Sequence, residues 1–418
     1  MRKWNWLRGL RCLVGVGTAL AGSLAFAGDE QNIPTIADPD AVFQHTSYDV
    51  AQDLGLGGNN CECEGGGLNC GGDPFKLVPE VCGWNIGGWS STGYGRKPDG
   101  LFVSDAENGR LNLNQFWLFA EKALKSECGE LDWGGRIDLL YGTDAQNTQA
   151  FGNNRGEFDF LNGWDHGIYG FAMPQLYGTV GNDEWDLKAG HFFTYHGAEV
   201  VNATGNFFYS HAYTFNNSEP FTHTGVMLHK KVNDKLDVHG GYVFGWDTGF
   251  DQFAGGSAFM GQVAYQATDA VKLTYTTCIG NLGFRGDGSN HTFLVNVAIT
   301  DKLAYTACSD LVSTNGIWNN AGRPPVFFPG TFNDQISLAN YLTYKIDDCV
   351  SAGARLEWWK SDGQSINEMT YGLNIKPHSN VTFRPEIRYD WNPGAGTLLN
   401  GRAGNDQTSF NFDVIFTF

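Results

Sequence analysis

The chain has 418 residues, room for one large barrel or two to three soluble domains, and carries 45 Asp and Glu against 27 Lys and Arg, a formal net charge of −18. That balance argues against a nucleic-acid partner, which needs a basic face for the phosphates, and against simple attraction to anionic headgroups. Aromatic residues make up 14% of the chain and glycines number 56, a composition that suits a wall with an apolar outside and a wet inside.

Arg2, Lys3, Arg8 and Arg11 lead an apolar run from Leu13 to Leu24, and Ala25-Phe26-Ala27 has the small-x-small form of a cleavage site. Residues 1–27 are expected to be an export signal cut after Ala27. The alternative is an uncleaved anchor, but the run is shorter than the roughly 20 residues a spanning helix needs. Cys12 precedes the apolar run, the wrong place for a lipoprotein cysteine. Every later apolar run is cut by Gly, Asn, Asp or Thr within a few residues, so no other segment is a candidate transmembrane helix.

Residues 28–82 read as a flexible periplasmic leader. Segments such as Asp53-Leu54-Gly55-Leu56-Gly57-Gly58-Asn59-Asn60 and Gly65-Gly66-Gly67 cannot build a packed core. A small plug or partner-binding segment is the sharper reading. Cys61, Cys63, Cys70 and Cys82 lie in it without the C-x-x-C pairs that favour zinc, so one or two local disulfides are expected in an oxidising compartment. Cys128 and Cys349 fall in predicted turns, and Cys278 and Cys308 in predicted strands.

From Gly83 onward the pattern has period two. Alternate side chains of a strand face opposite sides, so alternation marks a sheet between two environments. Leu131, Trp133, Ile137, Leu139 and Tyr141 alternate with Asp132, Gly134, Arg136 and Asp138. Leu236, Val238, Tyr242, Phe244 and Trp246, then Val271, Leu273, Tyr275 and Ile279, then Met369, Tyr371, Leu373 and Ile375 repeat the pattern. Phe410, Phe412, Val414, Phe416 and Phe418 close the chain, alternating with Asn411, Asp413, Ile415 and Thr417. These runs are about 10 residues long, the length of a tilted strand that crosses a bilayer.

Tight turns are predicted at Ser126 to Gly129, Asn182-Asp183, Asn233-Asp234, Thr268-Asp269, Thr300-Asp301, Asp347-Asp348 and His378-Ser379. Longer loops are predicted at 93–108, 144–167, 194–220, 247–256, 283–289, 312–331, 361–366 and 391–406. Short turns alternating with long loops predict an all-β fold, a transmembrane antiparallel up-and-down β-barrel of about sixteen strands over residues 83–418. The short turns and both termini would be periplasmic and the loops extracellular. A soluble sandwich, β-helix or propeller is the competing fold. It would not usually place aromatics at both ends of its apolar face, as Trp133 and Tyr141 or Tyr389 and Trp391 do.

Phe418, preceded by Phe at alternate positions, resembles the terminal signal that the barrel-assembly machinery reads in outer-membrane proteins. Gly134-Gly135-Arg136-Ile137-Asp138-Leu139-Leu140-Tyr141-Gly142-Thr143-Asp144 and Arg384-Pro385-Glu386-Ile387-Arg388-Tyr389-Asp390 resemble recurrent strands of the OmpL-like β-barrel porin family. Leu187-Lys188-Ala189-Gly190-His191-Phe192 is similar to a family strand leading into a long loop. The resemblance covers about residues 83–418. It implies a channel in the bacterial outer membrane and leaves the transported solute undefined.

On the strand 380–391, Val381, Phe383, Ile387, Tyr389 and Trp391 take the lipid side, which turns Arg384, Glu386, Arg388 and Asp390 inward. A lipid-facing Arg or Lys at the midplane costs on the order of 2–4 kcal/mol, so such a face must be wet or paired. The same logic turns Arg136, Asp138, Arg355 and Glu357 inward. These eight are the expected pore-lining residues. Their charges either set ion preference at a constriction or stiffen the wall as internal salt bridges. Arg388→Glu is expected to shift selectivity toward cations with folding mostly intact, and Phe412→Arg to impair insertion. Pro385 lacks a backbone donor, so a bulge or weak ladder bond is expected there.

Loops 144–167 and 194–220 either fold inward and narrow the pore or present Phe193, Tyr195, Phe207, Phe208 and Tyr209 as an extracellular binding surface. No G-x-S-x-G elbow, H-E-x-x-H or Walker loop is present. His191, His196 and His211 with Glu199 are a weak metal candidate; Asp159, Asp165 and Glu157 are a weak Ca²⁺ candidate. No Ser/His pair stands out for a barrel-borne hydrolase. The expectation is a passive porin for small hydrophilic solutes or ions, with no cofactor and no catalysis, as monomer or trimer. A barrel-anchored surface adhesin is the alternative.

Overall fold

The computed structural model describes residues 70, 74–96, 109–126, 129–150, 157–315, 333–361, 364–394 and 405–418. The expected export signal, most of the leader, and Cys61, Cys63 and Cys128 lie outside them. Sixteen strands follow in chain order: β1 (Asn85–Arg96), β2 (Leu111–Lys122), β3 (Asp132–Gly142), β4 (Gly170–Gly181), β5 (Trp185–Phe193), β6 (Thr222–Asn233), β7 (Leu236–Val243) and β8 (Ser257–Thr268), then β9 (Val271–Asn281), β10 (Asp287–Thr300), β11 (Leu303–Thr314), β12 (Asp334–Lys345), β13 (Val350–Ser361), β14 (Gln364–His378), β15 (Val381–Trp391) and β16 (Asp406–Thr417). Two short helices, α1 (Ala145–Thr148) and α2 (Tyr213–Ser218), lie in loops.

Each strand pairs antiparallel with its neighbours in sequence, and β1 pairs with β16 to close the cylinder. Closure removes the sheet edges, whose unpaired amides lipid cannot satisfy. The seam runs from Trp89↔Thr417 to Arg96↔Phe410. Phe418 extends it: its N–H donates to Gly88 O and its carbonyl accepts from Gly88 N, both at 2.9 Å. The seven predicted turns fall at one end with both ends of the barrel sequence, and the other eight connections fall at the opposite end. The predicted loop at 361–366 is shorter than expected, since β13 runs to Ser361 and β14 starts at Gln364.

Alternation then sorts the side chains. On β16, Phe410, Val414 and Phe416 are exposed on the outer face, whereas Ser409, Asn411, Asp413 and Ile415 are buried. Phe412 is half-buried among Tyr94, Phe383 and Phe410, at ring distances of 5.4, 5.7 and 6.1 Å. Leu228, Phe259, Phe293, Leu356, Tyr371 and Ile387 continue the apolar belt. So much exposed apolar wall is stable only against lipid. Aromatic residues mark both rims. Trp133 packs edge-on against Trp84 at 6.4 Å near the turns, and Tyr389 stacks on Trp391 at 5.3 Å near the loops.

Pro385 keeps its place in the β15–β16 register opposite Phe412. On the β14 side, pairing lapses between Gly372↔Glu386 and Ile375↔Phe383 without a register shift. The missing donor weakens the ladder and makes no bulge there.

The cysteine expectation needs correction at Cys70. Cys70 forms a disulfide with Cys349, 279 residues away in the β12–β13 turn, and not with a neighbour in the leader. Cys82 is also disulfide-bonded. Further along the same rim, Asn380 accepts from the Phe75 N–H at 2.6 Å and donates to Phe75 O at 2.9 Å. Residues before β1 are thus fastened across the turn end of the barrel.

Candidate functional site: the loop across the lumen

The connection between β5 and β6, residues 194–221, leaves the rim and crosses the barrel interior. Phe207, Phe208, Tyr209 and Tyr213 are at most 5% exposed. The reading of these aromatics as an extracellular surface is therefore wrong: with Tyr195 they are enclosed by the wall. We call this segment the inner loop.

Outside α2 the segment has little regular structure, so its buried peptide groups need partners from elsewhere. Charged side chains of β13 and β15 supply them. Arg384 Nη1 donates to the carbonyls of Ala203, Asn206 and Phe208 at 2.9, 2.6 and 3.1 Å. Arg355 Nη1 donates to Ser210 O at 2.7 Å, and Arg388 Nη1 to His211 O at 2.5 Å. The carboxylates take the amides. Glu386 accepts from the N–H groups of Tyr209 and Ser210, and Glu357 from those of Tyr213 and Thr214 at 2.6 Å each. A carboxylate holding two successive amides and a guanidinium holding several carbonyls are strong, directional contacts.

The wall charges are themselves paired. Arg355 bonds Glu368 on β14 and, at 2.8 Å, Glu199 of the inner loop. Arg388 bonds Asp390 at 2.7 Å, and Arg384 makes a two-pronged contact with Asp413 on β16 at 2.8 and 2.7 Å. His211 Nδ1 sits 2.8 Å from Glu199 Oε2. Burial alone would raise the Glu199 carboxyl; Arg355, His211 and the Ala212 amide outweigh it and hold the group at about 2. Burial lowers His211 despite Glu199.

Small residues and polar caps complete the seat. A side chain on inward-facing Gly353 would collide with the Phe207 ring, and one on Gly93 with Tyr209. A glycine inside a strand often marks such a close approach. Across the barrel, Gln115 donates to Val201 O at 2.8 Å and accepts from Ala203 N at 2.9 Å, and Tyr209 Oη donates to Asn114 at 3.1 Å. Beyond α2, Asn290 on β10 donates to Ser218 O at 2.8 Å.

All eight charged residues singled out in the sequence point into the barrel, at 0 to 7% exposure. Six of them, Arg355, Glu357, Arg384, Glu386, Arg388 and Asp390, gather on the inner loop. Arg136 and Asp138 lie apart on β3. There Arg136 bonds Asp138 at 2.8 Å and Glu121 at 3.1 Å, and Gln175 donates to Asp138 at 2.9 Å. Sequence reasoning missed Glu368 and Asp413 as partners, although both sit at polar positions of alternating strands. Of the three histidines grouped with Glu199, only His211 is its partner, and Arg355 was missed as a partner.

The weak metal candidates are not assembled. His191 Nδ1 pairs with Thr224, His196 Nδ1 with Thr292 and His211 with Glu199, and among the described residues their ligand atoms form no common cluster. Asp159 accepts the amides of Ala150 and Met173 at 3.0 and 2.9 Å, and Asp165 accepts from Gln149 at 2.7 Å. These carboxylates cap loop backbone and side chains.

A closed sixteen-strand cylinder, greasy outside and polar inside, with a loop across its lumen, defines an outer-membrane porin. The chain belongs to the family described as "Putative beta-barrel porin-2, OmpL-like", whose model matches residues 83–418. No curated protein sequence matches it. Among solved structures, the fold is similar to the outer-membrane channel DcaP of Acinetobacter baumannii (13% identity, TM-score 0.52, 82% of this chain and 99% of that one). It is also similar to an anion-selective porin from Comamonas acidovorans (13%, 0.52, 80% and 99%). A loop-deletion mutant of OmpT from Vibrio cholerae is a third (12%, 0.50, 80% and 99%). The protein is a channel of the bacterial outer membrane.

Proposed function

We propose that the inner loop sets the narrowest section of a passive-diffusion channel for small hydrophilic solutes and ions, and that the interior field favours cations. The observation that carries the reading is the docking of residues 203–214 on the charged faces of β13 and β15. Three guanidinium groups there (Arg355, Arg384, Arg388) meet six carboxylates (Glu199, Glu357, Glu368, Glu386, Asp390, Asp413). The excess of negative charge repels anions from a confined path. Arg136, Asp138 and the six docking residues act as lining groups through this field and through the loop they hold.

Reversal potentials across a planar bilayer in a KCl gradient test the preference. A potential of cation-selective sign is expected; the anion-selective sign rejects it. Folded protein that never conducts rejects the channel itself.

The surrounding partners belong to the same proposal. Lipid covers the apolar belt, Phe418 on the β1–β16 seam is the residue the assembly machinery reads, and the barrel works alone or as a trimer. Residues 1–27 are removed on export, and 28–82 form a periplasmic leader fastened through Cys70. Phospholipid incubated with the pure protein is expected to remain intact.

A further inference from the structure

The far end of the inner loop is anchored differently. Just past α2, Glu219 is pressed onto β11, where Cys308 and Asp310 face inward two positions apart. Ligand atoms from the three side chains all lie within 4.8 Å of one another. Cys308 Sγ is 3.5 Å from Asp310 Oδ2 and 4.0 Å from Glu219 Oε1. The residues are 1, 0 and 5% exposed for Cys308, Asp310 and Glu219.

What sets this cluster apart is the lack of a counter-charge. Glu199, Glu368, Asp390 and Asp413 each meet an arginine, while Glu357 and Glu386 hold backbone amides. Among the described residues no Lys or Arg pairs with Glu219 or Asp310, and Glu219 Oε2, buried, has no hydrogen-bond partner. Two desolvated carboxylates side by side demand a cation or a shared proton.

The thiol and the distances favour the cation. A proton shared by two carboxyls has no use for sulfur. A tetrahedral zinc-class ion sits about 2.3 Å from a thiolate and about 2.0 Å from a carboxylate oxygen, which sets sulfur and oxygen roughly 3.5 Å apart. The observed separations fit that geometry with a small inward movement of Glu219. Asp310 is also oriented as a ligand would be. Its other oxygen, Oδ1, accepts from the Thr292 hydroxyl, which lies 2.7 Å from His196 Nδ1, and Oδ2 is left facing Cys308. Such supporting contacts hold ligands in place at metal centres.

We propose that Glu219, Cys308 and Asp310 form a binding site for a thiophilic divalent cation of the zinc class, which staples the end of the inner loop to the wall at β11. On binding, Cys308 loses its thiol proton to solvent and the metal stays divalent. The site stands whether or not the barrel conducts.

Cadmium tests it, because a cadmium–thiolate bond gives a charge-transfer band in the ultraviolet. Cd²⁺ is added to folded protein in detergent and, in a second arm, supplied during refolding. Folding is checked by electrophoretic mobility with and without heating. The expected result is one Cd²⁺ per chain with the band present, retained in Cys278→Ser and lost in Cys308→Ser. Glu219→Gln, which leaves the wall untouched, should weaken binding at least roughly tenfold. A wild-type protein without the band in both arms overturns the proposal, and that is the outcome a shared proton gives. So does a band that survives Cys308→Ser, or affinity unchanged in Glu219→Gln.

Discussion

At the scale of single residues, the interior charges act as an adhesive for irregular backbone. Arg355 is fully buried and meets Glu199, Glu368 and Ser210 at once. Arg355→Met should cost about 3–5 kcal/mol, because it strands two buried carboxylates. Urea unfolding of the reconstituted barrel reads that loss. The same reasoning revises the expectation for Arg388→Glu. Arg388 is 0% exposed and holds His211 O, so the substitution puts an acid beside Asp390 and frees part of the loop. The variant should become protease-sensitive within 199–214 as well as changing selectivity. Gly353→Val should act through shape alone, since the added methyls meet Phe207. It is expected to raise channel noise with little change in ion preference, measured in single-channel records.

At the scale of elements, the strands were legible; of the inner loop, the sequence offered inward folding of 194–220 as one of two alternatives, and its docking on the wall was not legible. Alternation on β15 and β16 exposed the inward set from Arg384 to Asp390, because lipid punishes a charge on the wrong face and leaves a strict pattern. Turn chemistry at Asn182-Asp183, Asn233-Asp234 and the others then gave the strand number. The inner loop has no period to read. Its partners lie far off in sequence: Tyr213 meets Glu357 across 144 residues, and Arg384 meets Ala203 across 181. Gly353 and Gly93, small residues on inward faces, were the available signal that something presses on the wall. The Cys70–Cys349 link was hidden for the same reason of distance.

The inner loop also carries a pH dependence whose sign is fixed. Its Glu199 carboxyl is held at about 2 when docked against an ordinary value of 4.5. Glu199 therefore favours docking fully above about 4.5, and the contribution fades as pH falls toward 2. His211, lowered by burial, works in the same direction. Its proton is taken up more readily once the loop is free, so acid below the ordinary value of 6.5 favours release. Amide exchange across 199–212, corrected for its intrinsic rate, should show less protection at acid pH in wild type. In Glu199→Gln the part of the dependence below about 4.5 should be lost, while the part that His211 contributes remains.

At the scale of the whole molecule, the account is a closed cylinder with lipid outside and a loop-crossed lumen inside. Phe412 sits on the outer face between Tyr94, Phe383 and Phe410. Phe412→Arg should hinder insertion by about 2–4 kcal/mol if the residue lies near the midplane, seen as loss of the folded, heat-modifiable band in membranes. The most direct test is single-channel conductance of wild type beside Glu357→Gln/Glu386→Gln, which weakens the hold on the amides of residues 209, 210, 213 and 214. Small, steady steps in wild type and larger, noisier steps in the double variant are predicted. Equal steps in both folded proteins would contradict the claim that this loop limits the path.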